Sequence, residues 1–570
     1  MGLLGRLKKV VLVSGAGLLL LWWFSIPPAS DGLFDRPFST VLEAEDGELL
    51  GARIAPDGQW RFPPSDSVPR KFELAICSFE DARFRRHPGV DPLALARAVR
   101  QNLAAGRVVS GASTLTMQTI RLASDNPPRT VLQKLWEMFR ATRLEARLSK
   151  DDILGLYADN APFGGNVVGL QAASWRYFGM DPHRLSWSES AALAVLPNAP
   201  SIILPGRNVE RFRKKRDRLL DRLLALGHID STTCRLSKIE PLPGAPQALP
   251  ELASHALNLQ KIKQPQLRVR STLNAQLQLR VQGLVDAHVQ RWKGNEVHNA
   301  AALVIELQSG EIKAYVGNTS DASVDGSGFD MLRIPRSTGS ILKPFLYSLA
   351  MDEGMLTSRS LVEDIPTRFG DFTPHNFDRR FLGAVTVEQA LQQSLNVPAA
   401  RLLRRYNLHR FYDKLQALGF DDLTRPARHY GLTLILGGAE IRPAQFAAGL
   451  YAWVHRALPG PTPVLRDLFG TALPPAHVSE HPVSVYNTLQ MMRGLERPTR
   501  WKDWQPARPV AWKTGTSYGF RDAWAVGTDG RWLVVIWTGN ANNEGRPGLI
   551  GVQTSAPLFF SVLAELECTA

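Results

Sequence analysis

Four prolines fall within the fourteen residues KIEPLPGAPQALPE (238–251), and the change of pattern across them constrains the fold more than any other feature of the chain. Proline lacks a backbone N–H and fixes φ, so a run this dense belongs to neither a helix interior nor a central strand. Before it, from about residue 72 to 226, apolar residues recur three and four apart. VLQKLWEMFRATRLEARL, RLSWSESAALAVLP and RFRKKRDRLLDRLLAL all show this helical period. After it, LRVRSTLN and AALVIELQSGEIKAYVG read as strands with a glycine-containing turn, and WLVVIWTGN is a further strand-like run. Residues 33–69 read as short strands and turns. At 570 residues the chain exceeds one core. The expected organisation is a helical domain, a proline-rich junction and an α/β domain.

The N-terminus, MGLLGRLKKVVLVSGAGLLLLWWFSIPP, sets Arg6, Lys8 and Lys9 ahead of an uncharged run at 10–26. Such a run reaches roughly 26 Å as a helix, close to the thickness of a hydrocarbon core. Basic residues stay on the cytoplasmic side, and Trp22 and Trp23 suit an interfacial belt on the far side. The expectation is a cytoplasmic tail at 1–9 and a transmembrane anchor at 10–26, with the remainder exported. The alternative is a signal peptide cleaved near PPAS. A formal charge of +14 suits an anionic partner, and export makes it a lipid-linked or cell-wall anion, with no nucleic acid. Cys77, Cys234 and Cys568 lie far apart without a CxxC pair, which argues against zinc sites and a disulfide framework.

In RSTGSILKPF, Ser340 and Lys343 are three apart, so on a helix the amine reaches the hydroxyl. A serine needs such a base to act as a nucleophile, and a desolvated lysine supplies one. QSLNVPA follows with Ser394 and Asn396, then AWKTGTSYG with Lys513, Thr514, Gly515 and Thr516. This ordered trio resembles the motifs of penicillin-binding proteins and class A β-lactamases. On that resemblance, Gly515 lets an acyl-peptide strand approach the backbone. Lys513, Thr514 and Thr516 receive the donor's terminal carboxylate. The N–H groups of Ser340 and Thr516 form an oxyanion hole, each donor being worth roughly 3 kcal/mol.

The earlier half carries a second constellation. In FEDARFRRHPGVD, a helix would align Glu80, Phe84 and His87 along one face. GASTLTMQ supplies small residues and hydroxyls near a helix start, where free N–H groups favour phosphate oxygens. RTVLQKLWEMFRATRLE adds Arg129, Lys134 and Glu137. Asp81 reads as a local hydrogen-bonding group and His87 as packing for the turn before Pro88. Arg83, Arg85 and Arg86 are either solvated or face headgroups, and the bases of RFRKKRDR read as a solvated helix face.

EDARFRRHPGVD, GASTLTMQ, QKLWEM, LSKDDILGLYADNAPFGGNVVGLQAAS and ALAVLPNAPS are together similar to the successive blocks of the family 51 peptidoglycan glycosyltransferases. Joined to the serine–lysine domain, they resemble a bifunctional class A penicillin-binding protein. RSTGSILKPF, APFGG and KTGTSYGFRDAWAVG are most similar to the 1C subtype. The resemblance implies a multi-domain chain: a transmembrane helix, a mainly α lysozyme-like glycosyltransferase domain at 45–225, a linker region at 226–298, and an α/β (α+β) penicillin-recognising serine transpeptidase domain at 299–566. Carried over by residue, Glu80 is the base for the acceptor's sugar hydroxyl and Glu137 a second essential acid near the donor's pyrophosphate. Ser113, Gln118, Arg121, Arg129 and Lys134 hold that pyrophosphate and its sugars.

The implied activity polymerises lipid II and cross-links stem peptides through an acyl-enzyme on Ser340. The second domain as a β-lactam sensor or scaffold, or as a D,D-carboxypeptidase, is the alternative. Expected partners are lipid II, nascent peptidoglycan, β-lactams as covalent inhibitors, the membrane and other cell-wall proteins, with the bulk of the chain in the periplasm of an inner-membrane protein. No cofactor is required, although the glycosyltransferase site leaves room for a divalent cation, Mg or Mn. The chain departs from the family pattern at Gln133, Met117, Arg121, Gly155 and Ala158. The extra C-terminal domain usual in the 1C subtype is expected to be lacking.

Overall fold

The computed structural model describes residues 13–22, 24–25, 32–106, 112–128, 130–198, 206 and 208–568. Residues 13–22 are helical; the rest of the expected anchor, apart from 24 and 25, lies outside the described residues. Among the described residues, no helix is long and apolar enough to cross a membrane. The chain forms two compact units: Met1–Val41, Ala52–Pro250 and Gln260–Arg268 make the first, and Leu42–Gly51, Glu251–Leu259 and Val269–Ala570 the second.

The first unit is mainly helical. Its helices are α1 (Arg70–Glu80), α2 (Pro92–Ala105), α3 (Leu115–Ala123), α4 (Val131–Glu145), α5 (Lys150–Asn160), α6 (Leu170–Phe178), α7 (Trp187–Val195), α8 (Val209–Ala225) and α9 (Ser231–Ile239). Local chemistry explains their starts. Thr114 and Thr130 accept from the backbone N–H groups of Met117 and Gln133, while Ser149–Asp152 and Ser186–Glu189 are reciprocal capping boxes. Helix α7 is buried from Ser190 to Val195, as an all-round apolar helix should be, with α1 and α8 packed on it.

Helix α8 bears out the reading of RFRKKRDR as a solvated face at Arg211, Arg213, Lys214 and Arg218 and corrects it at Arg216. Phe212, Arg216, Leu219, Leu220 and Leu223 form its buried stripe. The Arg216 guanidinium is fully buried and donates to Ser188 Oγ and to the carbonyls of Lys238 and Glu240 at the end of α9. A cation there satisfies carbonyls that the helix leaves unpaired. Lys215 is half-buried and bonds to Asn198, which lines the cleft described below.

The stretch 226–298, expected as a linker region, is folded. It holds α9, α10 (Ser254–Lys263) and α11 (Ala275–Trp292). Leu277, Val281, Val285 and Val289 recur every fourth position on α11 and join the core of the second unit. Helical periodicity thus outweighs the prolines that precede it.

The second unit is built on five strands: β1 (Asn299–Glu306), β2 (Glu311–Val316), β3 (Ala511–Thr516), β4 (Asp522–Thr528) and β5 (Trp532–Gly539). Their order is β3-β4-β5-β1-β2, every neighbour antiparallel. β4 and β5 are buried along their whole length, so both faces are covered. α11 and α15 (Ser555–Cys568) cover one face, where Trp512 meets Phe560 at 4.9 Å between ring centroids. Three residues along β3, Gly515 points to the opposite face and pairs with Trp524. There α12 (Lys343–Asp352) and α14 (Pro443–His455) pack, with Phe446 at 6.1 Å from both Trp524 and Phe345. β3 is one of the two edge strands, and its outer side carries the second site.

Candidate active sites

In the first unit the expected residues converge on one cleft of about 670 Å³, lined by Glu80, Ser113, Gln118, Arg121, Lys134 and Glu137 among others. Glu80 ends α1. The next residue, Asp81, ties that end to the start of α3: its carboxylate accepts from Leu115 N at 3.0 Å and lies 3.0 Å from His87 Nε2. One turn into α3, Gln118 Nε2 donates to Glu80 Oε2 at 2.8 Å. Asn198 Nδ2 donates to Oε1 at 2.9 Å. Both carboxylate oxygens are therefore held by amides, and Lys215 Nζ in turn sits 3.3 Å from Asn198 Oδ1. Asn198 sits in ALAVLPNAPS and Lys215 in RFRKKRDR, but their place at Glu80 was missed from sequence because they lie 118 and 135 residues beyond it.

Deeper in the cleft, Lys134 on α4 donates to Ser113 Oγ at 2.5 Å and to buried Glu137 Oε2 at 3.0 Å. Arg121 donates to the Pro127 carbonyl at 3.3 Å, and Arg97 and Arg222 add charge to the lining. Arg129 lies outside the described residues. Arg83 and Arg85 are paired, with Asp91 and with Glu73 and Asp151. Met117, one of the departures, is buried against the cleft, and nothing in the structure requires glycine at 155, where a Cβ would meet open space. Among the described residues, no group of three or more His, Cys, Asp or Glu could hold a metal ion.

In the second unit Ser340 lies in a turn rather than on a helix. The backbone N–H groups of Ile341 and Lys343 bond to the carbonyls of Thr338 and Ser340, each at 3.2 Å, and α12 starts only at Lys343. The lysine is fully buried. Its Nζ donates to the Ser394 carbonyl and to Asn396 Oδ1, both at 2.7 Å. A neutral amine has two N–H groups and one lone pair. Those two acceptors use both N–H groups and leave the lone pair for a hydroxyl proton. Burial pushes the Lys343 amine well below the usual lysine range, and the neighbouring Lys513 charge adds to it.

Lys513, also fully buried, is pushed down to about 7 by burial and donates to Ser394 Oγ at 2.8 Å and the Thr514 carbonyl at 2.9 Å. Ser394 thus joins the two lysines, its carbonyl to one and its hydroxyl to the other. It does so with φ at 56°, a left-handed conformation that costs a non-glycine residue about 1–3 kcal/mol. Asn396 opens helix α13 (Asn396–Tyr406) and is fixed by Asn376 Oδ1, which accepts from its N–H at 2.9 Å.

Strand register explains how Thr516 faces Ser340. Ser517 N bonds to Asp522 O, so by alternation the Thr516 N–H points off the outer edge of β3. There it meets Gly339, where an added Cβ would come within 2.5 Å of Thr516 N; Gly339 has φ at 53°. At Gly515 a Cβ would meet the Thr338 carbonyl at 2.5 Å and Ile341 Cγ2 at 2.9 Å. The expectation that Gly515 leaves room for substrate is therefore corrected: it leaves room for the serine's own turn. Gly515→Ala is expected to push that turn off β3 and cut acylation of Ser340 by labelled penicillin more than tenfold, with glycan polymerisation unchanged.

A family model described as transglycosylase matches residues 47–224, and one described as penicillin binding protein transpeptidase domain matches residues 300–435. The chain is 38% identical over 532 residues to penicillin-binding protein 1C of Escherichia coli strain K12, across 92% of this chain and 67% of that protein. It is 30% identical over 518 residues to penicillin-binding protein 1B of Vibrio cholerae, across 84% of this chain and 65% of that one. The chain thus spans about two thirds of the length of these curated relatives. The crystal structure of penicillin-binding protein 1A from Haemophilus influenzae shares the fold: TM-score 0.52 at 16% identity, over 94% of this chain and 92% of that one. A phosphate-suited acid cleft and a serine–lysine site, in separate folded units, define a two-activity cell-wall enzyme. The chain belongs to the class A penicillin-binding proteins, the bifunctional peptidoglycan synthases that join a transglycosylase to a penicillin-binding transpeptidase.

Proposed function

We propose that the first unit polymerises lipid II and that the second cross-links the stem peptides of the product. The observation that carries the second half is the convergence on Ser394 of two buried lysines, one of them Lys343, which opens the helix that follows the Ser340 turn. In the first cleft Glu80 takes the proton of the acceptor's sugar hydroxyl as its oxygen attacks the donor's anomeric carbon. The bond to the lipid pyrophosphate breaks, and the charge that leaves falls to Lys134, Arg121 and Arg129, with Ser113 and Gln118 as neutral donors. A single displacement of this kind inverts the anomeric carbon. Buried Glu137 holds Lys134 in place for that step.

In the second unit the neutral amine of Lys343 takes the Ser340 proton, and Oγ attacks the D-alanyl carbonyl. The N–H groups of Ser340 and Thr516 receive the oxyanion. Ser394, between the lysines, passes a proton to the departing D-alanine, and the amine of a neighbouring stem then attacks the acyl-enzyme. Lys513, Thr514 and Thr516 receive the donor's carboxylate. Placement with the N-terminus in the cytoplasm and the chain beyond the anchor outside the inner membrane is supported by the basic flank and apolar run at 10–26.

Full-length protein given fluorescent lipid II is expected to yield glycan chains whose muropeptides contain cross-linked dimers. Chains without dimers, from protein that still binds penicillin at Ser340, would reduce the second unit to a binding domain. Absence of chains would overturn the first half.

A further inference from the structure

Besides Ser394, two strained backbone positions lie on segments tied to the Ser340 turn and to the Ser394–Asn396 stretch. Phe520, in the loop after β3, has φ at 54°, and Arg379 has φ at 60° in the long loop that joins the paired strands Leu361–Asp364 and Gly383–Thr386. A bulky residue with positive φ is rare and persists only where its surroundings enforce it. The Phe520 carbonyl accepts from Arg546 N at 2.9 Å, and its side chain packs against the small cluster of Val297, Ala523 and Leu549. That ring meets Phe377 edge-on, with centroids 6.3 Å apart and planes at 89°.

The two rings belong to opposite walls. Phe520 follows Thr516 by four residues in the wall that touches Gly339. Phe377 follows Asn376, which is 3% exposed and accepts from the N–H groups of Asn396 and Val397 at 2.9 and 3.3 Å. Asn376 also donates to Asp364 Oδ1 at 2.7 Å and to the Arg380 carbonyl at 2.8 Å, which anchors the loop at this point. Asn396 Nδ2 adds a bond to the His375 carbonyl at 2.8 Å. So the loop is fixed to the Ser394–Asn396 wall one residue before Phe377. Phe377 itself is 67% exposed, so its ring is open to solvent and to any ligand that reaches this loop.

We propose that Phe377 and Phe520 bridge the walls of the Ser340 groove and determine which acyl donors reach the serine, by the bulk of the donor's acyl side chain. The inference rests on Ser340 being the acylated residue. A slender donor passes beneath the rings; a donor with a large side chain has to part them. A single edge-to-face contact between partly exposed rings can bias that equilibrium by no more than about tenfold. The bridge is therefore a filter and not a seal.

The test compares second-order acylation rates for two β-lactams: 6-aminopenicillanic acid, which has no acyl side chain, and a penicillin bearing a fluorophore on that side chain. Wild type, Phe377→Ala, Phe520→Gly and Ser340→Ala are compared. Glycine suits the positive φ at 520, and Phe377 is exposed enough for alanine to leave the fold intact, which thermal unfolding checks. In both phenylalanine variants the ratio of the rates is expected to shift about five- to tenfold toward the bulky penicillin. An unchanged ratio, or both rates falling together, overturns the bridge. Wild type acylated by neither compound, or Ser340→Ala still acylated, overturns the acylation reading and the bridge with it.

Discussion

Glu80→Gln is expected to end glycan polymerisation while penicillin labelling of Ser340 continues at the wild-type rate. Loss of a general base costs roughly 10²–10⁴ in rate, and here the amide meets a second obstacle. Both oxygens of Glu80 accept from amide N–H groups, of Gln118 and Asn198. A glutamine has only one oxygen, so its NH₂ must face one of those donors. Turning Asn198 around would relieve the conflict, but its Oδ1 lies 3.3 Å from Lys215 Nζ. The variant loses the base and its orientation together, and the loss belongs at the upper end of the range. Fluorescent lipid II resolved by gel, alongside labelled penicillin on the same sample, measures both halves at once. Wild-type chain lengths from Glu80→Gln would remove Glu80 from the role of base.

Lys343→Met is expected to abolish acylation of Ser340 and at the same time raise the melting temperature of the second unit. The catalytic loss follows from the lone pair: methionine fills the volume but takes no proton, again a loss of roughly 10²–10⁴. The stability gain follows from linkage. Burial lowers the folded value of the amine below its unfolded one, so above that lowered value the unfolded chain binds more protons. Stability therefore rises with pH from the folded value toward about 10.4, the unfolded one. At neutral pH and below, the cost of the buried amine persists, and a thioether removes it. Each kcal/mol recovered is worth about 2–4 °C in a domain of this size. Acylation by the wild type is expected to fall as pH drops through the lowered value of Lys343. Lys513, at about 7, gains its charge over the same descent. Calorimetry and penicillin acylation from pH 5 to 9 test both signs; a variant that melts lower, or still acylates, refutes the assignment.

How much of this was legible in the chain depends on the range of each interaction. The motif residues could be named because each motif is contiguous, and the division into a helical and a mixed unit followed from periodicity. The geometry between motifs was not legible. Lys513 reaches Ser394 across 119 residues, and only the fold brings them together. Ser340 looked helical from its spacing to Lys343, yet Gly339 and the approach of Thr516 hold it in a turn. Arg216 sat in a run of bases that composition alone marks as solvated; the free carbonyls of α9 recruit it inward. The stretch called a linker region hid α11, whose four apolar residues were visible but were overshadowed by the prolines. Gly515 was noticed for its missing side chain and assigned to the wrong neighbour.

The contact between Gly339 and Thr516 has a consequence for drug resistance. Main chain meets main chain there, with no side chain between them to exchange, so a mutation has nothing to trim or enlarge without dislodging the turn. Escape from β-lactams by altered affinity has to arise farther out, in residues whose loss the protein survives.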